Sequence, residues 1–130
     1  MNSHPYYIVR PGYGSKDLLI EFGGTADGNA IVQSLIQLLT NNGFTISSVQ
    51  DNFGSDEYCY HFKSNQGNIT LSIDIWDFVF LHGDNNQSDI HLIAELLKTS
   101  NQFITKEVDF EKYKIPKIDE ENSPSGDSLT

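Results

Sequence analysis

The chain has 130 residues, 38% of them hydrophobic, which is enough apolar surface for one domain with a real core and too little for two. Eight Lys and Arg stand against 18 Asp and Glu, a formal charge of -10 with the histidines neutral, so a nucleic-acid backbone is disfavoured as the main partner and a basic protein is favoured. The single cysteine, Cys59, excludes an internal disulfide and a cysteine-rich metal knot, in keeping with a reducing cytoplasm. The opening residues lack the basic-then-apolar pattern of a secretory signal, and no stretch approaches the ~20 apolar residues needed to cross a bilayer.

In chain order, residues 6–9 offer a short edge strand bracketed by Pro5 and Pro11. Residues 18–22 form the first convincing strand, ended by Gly23 and Gly24, after which Asp27 or Thr25 can cap a helix. Over 29–41 the residues Ile31, Val32, Leu35, Ile36, Leu38 and Leu39 recur at helical spacing, and Asn41, Asn42 and Gly43 supply the exit.

An antiparallel meander follows. Its first strand, from Phe44 to Val49, alternates imperfectly. In the second, Tyr58, Tyr60 and Phe62 share one face and Cys59, His61 and Lys63 the other. In the third, Ile69, Leu71, Ile73 and Ile75 make the cleanest inward row. Beyond it, an unbroken strand would bury Asp77 and leave Trp76, Phe78 and Phe80 as an outer stripe. A bulge or bend near 74–77 would instead put Phe78 and Phe80 inside, the expected version because burying an unpaired aspartate is costly.

Ser88 is the expected cap of a second helix carrying Ile90, Ile93, Ala94 and Leu97, and residues 103–108 return as a final strand. The predicted fold is α+β: an antiparallel sheet with two helices packed on one face, in the order β-α-β-β-β-α-β. It is a ferredoxin-like variant with three strands between the helices instead of two. Residues 1–17 read as an N-terminal extension, 18–115 as one compact domain, and 116–130 as a flexible acidic tail with too little apolar surface to offset ordering.

Enzyme signatures are weak. Cys59 and His61 share a strand face, but the i,i+2 spacing of about 7 Å does not establish a nucleophile-base contact. The turn from Gly23 to Gly28 is neither a dinucleotide fingerprint nor a P-loop, and Asp27 would repel a phosphate. Asp84, Asn86, Ser88 and Glu95 are spaced like calcium-loop ligands, yet Asp89 stands where the loop needs glycine. No metal or cofactor is expected.

A surface reading is stronger. Asp74, Trp76 and Asp77 form an expected interaction patch with Glu57 and Tyr58 as neighbours, and Asp84 and Asp89 extend its negative field. Aromatic residues anchor protein interfaces, and carboxylates select a basic opposing surface and speed encounter.

In size, charge and element order over residues 18–108, the chain resembles the small acidic immunity proteins paired with bacterial polymorphic or contact-dependent toxins. The resemblance implies a cytoplasmic, non-catalytic inhibitor that binds a cognate basic toxin, often a nuclease, and covers its active-site or substrate-binding cleft. It carries no site residue with it. From charge and the lack of a long apolar stretch, neither direct nucleic-acid binding nor membrane insertion is expected, and oligomeric state is left open. The alternative is a small-molecule-binding regulatory domain or small enzyme using a sheet-face or Gly-rich-turn pocket.

Overall fold

The computed structural model describes residues 5–12, 14–24, 27–52 and 57–113. Strands β1 (Tyr6–Pro11) and β2 (Leu18–Gly23) precede helix α1 (Gly28–Thr40). Four strands follow: β3 (Thr45–Asn52), β4 (Glu57–Lys63), β5 (Asn68–Asp74) and β6 (Val79–Asp84). Helix α2 (Gln87–Thr99), the two-residue β7 (Ile104–Thr105) and a 3-10 turn (Phe110–Tyr113) complete the described residues. The strands form one sheet in the order β3-β4-β5-β6-β2-β1-β7, antiparallel throughout except for the parallel β1–β7 pair.

An α+β domain with two helices packed on one sheet face is therefore observed, and the finer order differs from expectation. Four strands separate the helices, because the predicted long third strand breaks at 75–78 into β5 and β6. The expected edge strand at 6–9 is instead flanked by β2 and β7, and the return strand at 103–108 pairs only at Ile104 and Thr105. The acidic stretch 116–130 lies outside the described residues.

Pairing explains which residues are buried. Tyr7, Ile20, Phe22, Phe62, Leu71, Ile73, Val79 and Leu81 project from the helix-covered face. Against them α1 sets Ile31, Val32, Leu35 and Leu39, and α2 sets Ile90, Ile93 and Leu97, each row repeating every three or four residues. The imperfect alternation of β3 is a bulge. Its register shifts between Ile46 and Ser48, which brings Val49 to the same face as Ile46 and puts Asp51 beside Tyr58.

One end of the sheet is tied down by polar contacts. Helix α2 is capped by Asn86, not by the predicted Ser88, because Asn86 can both accept from the Asp89 amide (3.3 Å) and donate to the Asp89 carboxylate (2.7 Å). That carboxylate also accepts from the Ser64 hydroxyl in the β4–β5 turn, and Asn86 donates to the Asn68 carbonyl (3.2 Å). Gln87 behaves like a strand neighbour for Leu18, accepting from its amide (2.8 Å) and donating to its carbonyl (3.1 Å).

Candidate functional site

The opposite end is built differently. Asp74 closes β5 and caps the turn: its Oδ1 accepts from the amides of Trp76 (2.9 Å) and Phe78 (3.0 Å). The Asp74 amide donates to the Phe78 carbonyl (3.2 Å), and the Asp77 amide donates to the Asp74 carbonyl (3.1 Å). Asp77 completes the reversal in the left-handed region, at φ 64°. Ile75, Trp76 and Phe78 are thereby held outward with 61%, 69% and 54% of their surface exposed. Isolated exposed apolar residues need no explanation, but three on one hydrogen-bonded turn form a patch.

The expected bend is present, whereas the expected burial of Phe78 and Phe80 is not. Phe78 lies in the turn itself. Phe80 has the opposite parity to Val79 and Leu81, so it falls on the uncovered face, across from Ser72 and Glu21. It is half-buried there beneath the Arg10 guanidinium, 5.8 Å from its ring centroid, while Arg10 Nε donates to Glu21 at 2.7 Å. A cation over an aromatic face gives the ring an environment that is neither core nor open water.

Beside the turn, the helix-side residues of β4 emerge from under α1. Phe62 is buried, Tyr60 is half-buried and Tyr58 is exposed, with the two tyrosine rings 5.6 Å apart. A cleft of about 510 Å³ opens here, lined by Tyr58, Tyr60 and Ile73 and by the acidic residues Asp51, Glu57, Asp74 and Asp77. Among the described residues no lysine or arginine lines it. Glu57 and Asp74 are direct cross-strand partners, an arrangement that is destabilising for like charges and is relieved by an added cation. A second cleft of about 350 Å³ lies on the other side of the turn, between Trp76 and Phe78 and the strand residues Tyr6 and Glu21.

Helix α1 braces this end. Asp27 caps it by accepting from the Ala30 amide (3.1 Å), and Gly28 packs so closely that an added Cβ would stand 2.8 Å from Ile73 Cδ1 and 2.9 Å from Asp77 Cβ. Asp27 thus occupies an amide that the phosphate reading of the Gly23 to Gly28 turn would have needed.

Of the seven expected patch residues, Glu57, Tyr58, Asp74, Trp76 and Asp77 come together. Asp84 and Asp89 do not. Asp84 is at the far end of β6, opposite Asn68, and Asp89 is 1% exposed with its carboxylate engaged by Ser64 and Asn86. Neither extends the field of the turn. Asp51, Ile75 and Phe78 are the additions. The uneven pattern of β3 was the signal for Asp51, since only the Ser47 bulge sets it on the cleft side.

The other chemical candidates are separated by their partners. The His61 ring contacts Thr70 Oγ1 (3.1 Å) and Gln50 Oε1 (3.2 Å), so both nitrogens are engaged. Burial, reinforced by the neighbouring Glu57 carboxylate to which it hydrogen-bonds, pushes the Cys59 thiol up to about 11. That is opposite to the depressed value of an activated nucleophile. In the calcium-like segment Asn86 and Asp89 close on each other, and Glu95 pairs with Lys98 on the exposed side of α2 (3.4 Å). Among the described residues no group of three or more His, Cys, Asp or Glu is placed to hold a metal ion, and no helix is long and apolar enough to cross a membrane. Compared with models of protein families, with curated proteins and with solved structures, the chain matches none.

Proposed function

We propose that the chain is a non-catalytic cytoplasmic binding protein that presents its β5–β6 turn to a basic protein surface, most specifically as the immunity partner of a toxin. The supporting observation is the exposed Trp76 on a carboxylate-capped turn beside the crossed Glu57–Asp74 pair. The tryptophan supplies desolvated area from a backbone already ordered before binding, which limits the entropy lost on association. The carboxylates supply selectivity for Lys and Arg and raise the encounter rate. Inhibition needs only steric cover over the toxin's active-site or substrate-binding cleft.

The test is capture of a partner from the native cells, followed by reconstitution with purified partner and assay of its toxic activity. Addition of this chain should suppress that activity, and Trp76→Ala should weaken the complex by about 2 kcal/mol or more. A recovered partner whose activity is untouched, or a complex indifferent to Trp76→Ala, removes the reading.

A small-molecule role has one observation of its own. On the uncovered sheet face a cleft of about 570 Å³ gathers His61, His82, Thr70, Ser48, Lys63 and Asp84, a mixed set of donors and acceptors suited to a hydroxyl-rich ligand. Ligand-induced shifts confined to these residues, with the turn unaffected, would favour it.

A further inference from the structure

The two edges of the sheet are unequal. β7 offers Ile104 and Thr105, whereas β3 is an eight-residue outer strand that, among the described residues, is paired on one side alone, to β4. Outer strands are normally guarded by lysine, proline, bulges or brevity. β3 contains neither lysine nor proline, its bulge at Ser47 lies near its start, and the run from Ser48 keeps regular register to its end. Ile46 and Val49, 42% and 48% exposed, project from this edge on the helix side. Asp51 follows them on the same face and opens into the cleft that carries Glu57, Asp74 and Asp77.

We propose that β3 is a docking edge that receives an extended basic segment of a partner protein as an additional strand. This rests on the reading above that the neighbouring carboxylates face a basic protein. Main-chain hydrogen bonds from the incoming segment would continue the sheet, its apolar side chains would cover Ile46 and Val49, and a Lys or Arg two positions farther along would reach Asp51 and the cleft. Charge selects this occupant over a second copy of the chain, because each copy carries -10 and the end beside β3 is itself acidic.

The probe is a short synthetic peptide in which valine alternates with lysine, added to the full chain while amide hydrogen exchange is followed residue by residue. Exchange should slow at residues 48–52. The same peptide N-methylated at alternate residues keeps the charge and loses the ladder, and should bind about tenfold or more weakly. Equal binding of the two peptides, or protection centred on the Trp76 turn alone, overturns the docking edge while leaving the acidic-surface reading standing. A valine–glutamate peptide that protects β3 as well as the lysine peptide overturns the basic occupant. Failure of every peptide to bind at millimolar concentration sinks both. Sedimentation of the chain alone as a dimer with β3 already protected assigns the edge to a second copy and overturns the proposal.

Discussion

Aspartates hold turns at both ends of the sheet, and the two ends treat them in opposite ways. Asp89 is buried, and its carboxylate joins the β4–β5 turn to the start of α2 through Ser64 and Asn86. Asp74 and Asp77 shape the β5–β6 turn at the surface, where the carboxylates remain beside open clefts and three apolar side chains point into water. A carboxylate buried among internal donors contributes to stability alone, whereas Asp74, whose Oδ1 holds the turn amides while the group stays at the surface, also contributes to the field that a partner meets. Composition counts these aspartates alike. Burial separates them.

Removing the internal group should have the largest effect. Asp89→Ala leaves Ser64 and Asn86 without a charged acceptor and strips a favourable carboxylate from the first turn of α2, so unfolding free energy in urea should fall by about 3 kcal/mol. Asp89→Asn, which retains one acceptor oxygen, should lose less. A loss under about 1 kcal/mol in the alanine variant would mean that relief of carboxylate desolvation nearly cancels the lost hydrogen bonds, and that this end is not held as described.

Gly28→Ala tests the brace behind the open end. The new methyl group must displace Ile73 or Asp77, against which it would lie at 2.8 and 2.9 Å, and overpacking of this kind should cost about 2 kcal/mol. Trp76 fluorescence should change in the same variant, since Asp77 is its chain neighbour. Unchanged stability and emission would show that the turn yields freely and is not braced by α1.

How far the two ends could be read from sequence follows from the same contacts. The helix rows and most of the inward row, Ile69, Leu71 and Ile73, were legible because one side of each element is dry, and periodicity records that directly. Ile75, expected to extend that row, is instead 61% exposed, because β5 ends at Asp74 and the turn carries it outward. The Trp76 patch was legible in part, through the clustering of aromatic and acidic residues. The reversal at Asp74 was harder, since a capped turn and a bulge break alternation alike, and only the two amides accepted by Asp74 Oδ1 distinguish them. The burial of Asp89 was not legible at all. Its acceptor role depends on Ser64, 25 residues earlier in the chain, and a long-range hydrogen bond leaves no local pattern.

Asp77→Gly should produce a smaller effect of the opposite sign. Glycine relieves roughly 1 kcal/mol of left-handed strain, and loss of the carboxylate beside the first turn of α1 returns about half of that, leaving a net gain of about 0.5 kcal/mol. The variant should also bind a basic partner less well. A turn that gains stability by surrendering a surface charge would show that the residue is kept for recognition. A variant that loses stability would make Asp77 a structural group like Asp89.

Trp76→Ala should scarcely move stability at all, within about 0.5 kcal/mol by urea denaturation. The side chain is the most exposed of the large hydrophobic residues described, and the turn beneath it is held by backbone amides and Asp74, none of which the substitution removes. That neutrality is what makes the variant informative: lost partner affinity with an unchanged unfolding curve could only come from the surface. If the unfolding midpoint falls appreciably, Trp76 is packing against its own chain in solution, and the open end is closed in the way that the Asp89 end is.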